Sequence, residues 1–262
     1  MPTPFNEVIE DIKKRGYHNH RLEEHSDIVC KGIFNDLLKQ CQLFRDDYES
    51  EKIKYWLNVR TPGARQRRID LLVGEPNANG KSPDLAKSRI FVENKSVVTA
   101  HRNKDARYDD LNESLQVLHK ERPEAILVAT VMIGTALRVL NIPDRVKAQY
   151  KDRIDEFQKQ VAPRLSSGDQ RLWDEYRIAI SVNRPSDPNS TLNKFRELPV
   201  RESNQIQKMG YDSLLLVPVH IDNVNPPYLP KPNTLGIDVE RDYRAMLDLI
   251  CKDYRTRWGD GG

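Results

Sequence analysis

The fold is decided by two short runs of sequence, RIDLLV at residues 68–73 and RIFVENK at residues 89–95. Both are rich in isoleucine, valine and other apolar residues, which is typical of β-strands. Asp70 nevertheless lies inside the first run, and Glu93 and Lys95 lie at the end of the second. Because successive side chains of a strand point to opposite faces, we expect Glu93 and Lys95 to share one face.

The flanking sequence predicts a mixed α/β core. Before these runs, apolar residues recur at helical spacing over 21–45, and residues 53–59 form another β-type run. After them comes a helical stripe near 103–120. An apolar run at 125–133 follows, typical of a strand buried on both faces. The order helix, three strands, helix, strand predicts an antiparallel meander followed by a βαβ crossover.

Weaker patterns give the remaining elements. Helices are predicted at 4–15, near 144–162 and after Asp238. Loops are predicted where Pro, Gly, Asn and Ser cluster, at 75–88 and 183–199. Residues 211–221 are predicted to form a strand, and Pro218 indicates either an edge position for it or a bulge within it.

Composition excludes several classes of protein. The chain has 262 residues, of which 38% are hydrophobic and 31% charged, and a net charge of +3, so it is neither disordered nor strongly basic. The longest apolar runs are far shorter than a membrane span. Cys30, Cys41 and Cys251 include no CxxC pair, which favours a reduced, intracellular setting without structural zinc. The sequence contains neither GxGxxG nor a GxxxxGK[ST] loop, so no nucleotide cofactor is expected.

Asp70, Glu93 and Lys95 are the residues that carry chemistry in this pattern. Strands that pair side by side would gather two carboxylates and an ammonium in a small volume. Buried charges of this kind are costly unless they are paired or bind a metal ion. Mg²⁺ prefers a few carboxylate oxygens with waters and a substrate phosphate, and a metal-bound water is a strong nucleophile. These groups are sufficient in principle to hydrolyse a phosphodiester.

Asp70, a loop and then Glu93-x-Lys95 resemble the PD-(D/E)xK nucleases, the restriction-endonuclease-like superfamily. The likeness covers roughly residues 21–135, although Ile69 stands where the family has proline. It implies that Asp70 and Glu93 bind Mg²⁺, for which Mn²⁺ can substitute, and that Lys95 acts on the attacking water. It also implies a mixed central sheet flanked by helices in a single domain, 1–262. Residues 140–262 would then be an elaboration for DNA recognition or dimerisation.

Two choices of acid stay open. Many members of the family carry another acid on the first core helix, where Glu23, Glu24 and Asp27 compete and Glu24 is favoured as the third metal ligand. Pro83-Asp84 also precedes Glu93 and spells the motif more literally. Asp70 is preferred because an acid inside an apolar strand needs a partner, whereas an acid in a polar loop does not.

Positive charge lies beside the predicted site. Residues 52–69 contain six lysines and arginines and no acid, as expected of a surface that contacts a phosphate backbone. The segment 101–104 adds further basic residues, whereas the acids of the helix that follows indicate a solvated face. The residues expected to bind DNA are Arg60, Arg65, Gln66, Arg67, Arg68, His101 and Lys104.

The resemblance therefore implies a Mg²⁺-dependent endonuclease that acts on double-stranded DNA. The favoured biology is a homodimeric, sequence-specific type II restriction enzyme in a prokaryotic cytoplasm, with no membrane partner. One alternative is a repair, phage-processing or modification-dependent nuclease. The other is a DNA-binding module that lacks activity.

Overall fold

The computed structural model describes residues 2–16, 23–61, 67–98, 101–150, 153, 156–168 and 179–259. Over these residues the chain is a mixed α/β structure whose five-stranded sheet is flanked by helices. None of the helices within these ranges is long and apolar enough to span a lipid bilayer.

The described chain begins and ends with helices, and strands and further helices lie between them. In order they are α1 (Pro4–Arg15), α2 (Glu23–Gln40), α3 (Gln42–Glu49), β1 (Lys54–Arg60), β2 (Arg68–Pro76), β3 (Pro83–Val97), α4 (Lys104–Glu121), β4 (Ile126–Gly134), β5 (Arg138–Asn141), α5 (Asp144–Gln149), α6 (Ala162–Ser166), β6 (Ala179–Val182), α7 (Asp187–Arg196), β7 (Ser213–Val219) and α8 (Val239–Trp258). A 3₁₀ turn, His101–Asn103, precedes α4, and a π-helical turn, Phe157–Val161, precedes α6.

The central sheet has the strand order β1-β2-β3-β4-β7. β1, β2 and β3 form an antiparallel meander, and β4 pairs parallel to β3 after the crossover through α4. The predicted meander and βαβ crossover are therefore confirmed. β7 pairs parallel to β4 and forms the other edge of the sheet, which is one of the two alternatives that Pro218 indicated. β5 and β6 form a separate two-stranded sheet.

Each face of the central sheet packs against its own set of helices. Ile33 of α2, Leu71 of β2 and Tyr243 of α8 belong to one buried cluster. Leu72 of β2 belongs to the other, together with residues of α4 and α7 such as Phe195. Adjacent residues 71 and 72 enter different clusters because strand side chains alternate between faces. Charged side chains in the middle strands are consequently enclosed by protein unless they lie near a strand end.

The two terminal helices agree with their sequence signals. α1 begins after Thr3, which forms a capping box with Asn6, and ends at Gly16. At the start of α8, the Asp238 carboxylate accepts a hydrogen bond from the Arg241 backbone N–H at 3.1 Å. Capping of this kind supplies a partner to an otherwise unbonded helix-end amide.

The predicted helix over 21–45 is wrong in its extent, because the helix ends at Gln40 and α3 begins at Gln42. Cys41 between them has a non-helical conformation, and it is bonded to Cys251 of α8 as a disulfide with Cα atoms 5.4 Å apart. The sequence favoured a reduced setting and gave no sign of this disulfide. Spacing along the chain cannot show that two cysteines 210 positions apart meet in space.

The predicted loop at 75–88 is mostly strand. Pro76 of β2 pairs with Pro83 of β3, so only residues 77–82 connect them. Glycine often marks the end of a strand, but β2 continues through Gly74 to Pro76. A Cβ at this position would lie 2.7 Å from the Ser88 Cα, so glycine permits the two backbones to approach closely.

Two further predictions in the second half are corrected. The loop predicted at 183–199 contains α7, where Pro188 occupies the first turn and Leu192 and Phe195 are buried. Proline at a helix start costs no hydrogen bond, so it does not indicate a loop there. The helix predicted near 144–162 ends at Gln149, and helical structure resumes at 157–166; residues 151, 152, 154 and 155 lie outside the described part.

The segment 140–262, expected to elaborate the core, contributes directly to it. β7 supplies the fifth strand of the central sheet, and α8 packs on β7 and α2. The packing of the central sheet thus includes elements from beyond residue 135.

Candidate functional site

Asp70, Glu93 and Lys95 lie together on β2 and β3. Leu71 pairs with Val92, so the next position brings Asp70 toward Glu93 across the strands. The Lys95 Nζ donates a hydrogen bond to Glu93 Oε2 at 2.8 Å, as expected for residues two apart on one strand face. The charge of Asp70 raises the pKa of both Glu93 and Lys95. The structure therefore brings the three predicted residues into one electrostatically coupled group.

The sheet is irregular where Asp70 stands. Toward β1, Leu57 pairs with Leu71 and Val59 with Ile69, so the pairing passes over Asp70. Asn58, the residue of β1 at this point, has a φ of 58°. Non-glycine residues in this left-handed region are uncommon and concentrate at functional sites. Asp70 therefore lies where the regular pairing of β2 with β1 is interrupted.

Glu93 is the most enclosed charged group of the site. Its side chain is 1% exposed, and burial raises the pKa of Glu93 to about 7, although the neighbouring Lys95 ammonium acts in the opposite direction. Its second oxygen, Oε1, has no hydrogen-bond partner among the described residues. An unpartnered carboxylate oxygen in the interior is costly, and a bound cation would compensate for it. The pKa of Asp70 is raised by the same cause, burial.

Lys95 forms an ion pair with Glu93 and interacts electrostatically with Asp70. Burial lowers the pKa of Lys95, but the charges of Glu93 and Asp70 outweigh that effect, so the pKa lies above its ordinary value. The side chain is 18% exposed and therefore reaches solvent. An ammonium with three donors that touches both an acid and solvent can hold a water molecule beside the carboxylates.

The acids of the first core helix have different surroundings. Glu23 accepts a bidentate pair of hydrogen bonds from Arg68, at 2.7 and 2.9 Å. The side chain of Glu24 is 56% exposed, and Arg15 lies 3.8 Å from its carboxylate. Asp27 accepts a hydrogen bond from the Asn58 amide at 3.0 Å. The residue of α2 that is tied to β3 beside Asp70 is not an acid but Ser26, which accepts a hydrogen bond from the Asn94 side chain at 2.8 Å.

Asp84 lies far from the group. It occupies the start of β3, nine residues before Glu93 on the same strand. A strand rises about 3.3 Å per residue, so the two residues are separated by roughly 30 Å along it. The Asp84 carboxylate accepts a hydrogen bond from the backbone N–H of Ala86.

The metal-binding capacity of the site rests on two carboxylates. Over the part of the chain that the structure describes, no cluster of three or more His, Cys, Asp or Glu side chains is arranged to hold a metal ion. Mg²⁺ is commonly held by one or two carboxylates while waters and substrate phosphates complete its shell. The unpartnered Oε1 of Glu93 beside Asp70 fits that mode of binding.

Most of the nearby basic residues are already paired with acids. Arg67 pairs with Asp110 and Glu113 of α4, so these two acids border the site rather than forming only a solvated face. Arg68 is held by Glu23. Arg60 is exposed at the end of β1, and Arg65 and Gln66 lie outside the described residues. The sequence showed an excess of positive charge here because the neutralising acids come from other segments.

His101 and Lys104 differ in accessibility. His101 is 3% exposed, and its Nδ1 lies 2.7 Å from the Thr191 hydroxyl. Burial lowers the pKa of His101. Lys104 is partly buried and donates to Ser190 at 2.6 Å. Of the two, Lys104 is therefore the one with access to a phosphate.

Sequence reasoning missed two polar residues at the site. Asn94 donates its backbone N–H to Asp70 Oδ2 at 2.7 Å, and its side chain bonds to Ser26. Asn94 stands between the two motif residues and could have been noticed for that reason. Ser26 has no comparable signal, because serine is common on helix surfaces.

Comparisons with models of protein families, with curated proteins and with solved structures returned no match.

Proposed function

We propose that this chain is a Mg²⁺-dependent DNA endonuclease with a restriction-endonuclease-like core. The observation that carries the proposal is the buried Oε1 of Glu93, unpartnered among the described residues, in a group where Lys95 bonds to the other oxygen and Asp70 stands alongside. A site with two enclosed carboxylates and one ammonium suits a divalent cation and an attacking water.

Each residue has a separate role in the proposed reaction. Asp70 and Glu93 hold the cation through carboxylate oxygens. When bound, Mg²⁺ acidifies a coordinated water and stabilises negative charge on the phosphoryl oxygens. The ammonium of Lys95 orients the attacking water and, because it is positively charged, attracts the scissile phosphate. Because Glu93 is 1% exposed, its carboxylate has little contact with bulk water.

DNA is the proposed substrate on the basis of the family resemblance. The meander, the crossover helix and the parallel fourth strand agree with the order of elements that the resemblance implies. We further propose, by the same analogy, a prokaryotic type II restriction enzyme that acts as a homodimer on two-fold symmetric sites. Among the residues expected to bind DNA, we assign contacts with the DNA backbone to the exposed Arg60 and the partly buried Lys104.

A DNA-binding module without activity is the second candidate. The ion pair between Lys95 and Glu93, at 2.8 Å, favours it, because the lysine neutralises one acid without any metal ion. The absence of a third acidic ligand from the described cluster favours it as well.

Cleavage of DNA separates the two candidates. Purified protein is incubated with methylated and unmethylated genomic DNA in Mg²⁺ or in EDTA, and the ends produced are sequenced. We expect Mg²⁺-dependent cuts at a defined sequence. Exonucleolytic decay or structure-dependent nicking would indicate a nuclease of different biology, and DNA binding without cleavage would support the inactive module.

Three variants test the assignment of residues. Lys95→Ala and Asp70→Asn should abolish cleavage, and Lys95→Ala should leave DNA binding largely intact. Asp84→Asn is the matched control, since it makes the same change at the other end of β3, and it should cut as the wild type does. Activity in Asp70→Asn together with inactivity in Asp84→Asn would contradict the assignment.

A further inference from the structure

The side chains of β1 and β2 change faces at one point of the central sheet. Leu57 and Leu71 are paired, and both pack in the buried cluster that contains residues of α2. Val59 and Ile69 are also paired, yet both pack in the cluster on the other face of the sheet. Residues two apart on a regular strand share one face, so both strands depart from that rule over the same step.

Asn58 lies at this step on β1, opposite Asp70 on β2. Its φ of 58° is left-handed, whereas an antiparallel strand has a φ of roughly −140°. A left-handed residue turns the chain out of the alternating pattern, which accounts for the change of face. Asparagine is one of the few residue types that enter this region readily. The Asn58 amide also donates to Asp27 Oδ1 of α2 at 3.0 Å, which holds the residue in place.

The change of face determines where the Asp70 carboxylate points. Side chains of a regular strand stand roughly perpendicular to the sheet. Asp70 Oδ2 instead accepts a hydrogen bond from the backbone N–H of Asn94 on β3 at 2.7 Å. Because the backbone N–H groups of a strand point along the sheet toward the neighbouring strand, the carboxylate lies between β2 and β3. It is therefore turned toward the strand that carries Glu93.

We propose that Asn58 is a positioning residue, whose left-handed conformation turns the Asp70 carboxylate toward Glu93 so that both acids can bind one divalent cation. This inference rests on the proposed nuclease function. Asn58 acts through the backbone of β2 and is not itself a ligand of the cation. The backbone conformation at position 58 is then decisive, and the hydrogen bond from its amide to Asp27 is secondary.

The test measures Mn²⁺ binding to the full chain by electron paramagnetic resonance, without DNA. Asn58→Val should weaken Mn²⁺ binding, because a β-branched residue strongly disfavours the left-handed region and favours a regular strand. The expected loss is about tenfold, the lower end of what a change in the groups that orient a metal ligand costs. Asn58→Gly also removes the amide but enters the left-handed region freely, so it should keep most of the affinity.

Asn233→Val is the matched control. Asn233 also has a left-handed φ, 68°, but it lies in a turn before α8, where its backbone N–H donates to the Ile237 carbonyl oxygen at 2.8 Å. The same substitution there should lower stability in a urea titration and leave the Mn²⁺ affinity unchanged. If Asn58→Val fails to fold, Asn58→Ala takes its place, since alanine and glycine both lack the amide and differ in how readily they become left-handed. Equal Mn²⁺ affinities of Asn58→Ala and Asn58→Gly would then overturn the proposal.

The outcomes separate this inference from the proposed function. If the wild type binds Mn²⁺ and cleaves DNA while Asn58→Val binds Mn²⁺ equally well, the positioning role is overturned and the nuclease proposal stands. A loss of affinity in Asn58→Gly or in Asn233→Val as large as that in Asn58→Val also overturns the positioning role. If the wild type binds Mn²⁺ but cleaves no DNA, the nuclease proposal fails, while the affinities of the variants still decide the role of Asn58. If the wild type does not bind Mn²⁺, both fail together.

Discussion

Replacing Glu93 by glutamine should change how the stability of the protein depends on pH. The pKa of Glu93 is about 7 in the folded chain, because of burial, against an ordinary value of 4.5. Below pH 4.5 Glu93 is protonated in both the folded and the unfolded chain, so its titration does not change the free energy of unfolding. As the pH rises toward 7, the unfolded chain releases its proton first, so stability falls, and above pH 7 the full cost of the buried charge is present.

The magnitude follows from the difference between the two pKa values. At about 1.4 kcal/mol per pH unit, the full cost is about 3 kcal/mol, and about 2 to 3 kcal/mol of it appears between pH 5 and pH 8. Glutamine does not titrate, so Glu93→Gln should not lose this amount.

Urea unfolding at pH 5 and pH 8 in EDTA measures the effect. Between pH 5 and pH 8 the free energy of unfolding of the wild type should fall by about 2 to 3 kcal/mol more than that of Glu93→Gln. Glu121→Gln, an exposed glutamate at the end of α4, is the matched control and should follow the wild type. An identical pH dependence of wild type and Glu93→Gln would refute the reasoning, since it would mean that Glu93 is not enclosed as described.

Three further perturbations give expected outcomes. In a thermal-shift assay with 10 mM Mg²⁺, a site with a Kd of about 1 mM should stabilise the wild type by about 1.4 kcal/mol, and the effect should be absent in Asp70→Asn. Reduction of the Cys41–Cys251 disulfide should lower the free energy of unfolding by up to about 5 kcal/mol, because the bond closes a loop of about 210 residues; a Cys251→Ser variant should be insensitive to dithiothreitol. Gly74→Ala should destabilise the protein by about 1–3 kcal/mol in urea unfolding, since the new Cβ would overlap the Ser88 backbone; an unchanged midpoint would contradict the close approach of β2 and β3.

Local patterns in the sequence predicted the central elements well. Apolar runs identified β1, β2 and β4, and helical spacing with capping residues identified α1 and α8. These signals are reliable because strand alternation, helical periodicity and caps act over a few neighbouring residues. The meander and the parallel pairing of β4 with β3 also followed, since a helix between two strands favours a parallel crossover, whereas the place of β7 beside β4 did not.

The errors arose where distant parts of the chain determine local structure. Gly74 resembles a strand end in sequence, but Ser88 explains its presence within the sheet. The proline in the first turn of α7 resembles a loop signal, but burial of Leu192 and Phe195 supports a helix. Cys41 falls within a helical sequence pattern, but it is non-helical in the structure, where it pairs with Cys251 of the last helix.

The sequence by itself determined an α/β chain with Asp70, Glu93 and Lys95 on neighbouring strands, because residue spacing controls which strand face a side chain occupies. Only the tertiary structure decided their surroundings: the enclosure of Glu93, the acids that neutralise Arg67 and Arg68, and the hydrogen bond from the Asn94 backbone to Asp70. Burial and pairing depend on the packing of α2 and α4 against the sheet. Those contacts join residues that are far apart in sequence, so they leave no periodic trace in it.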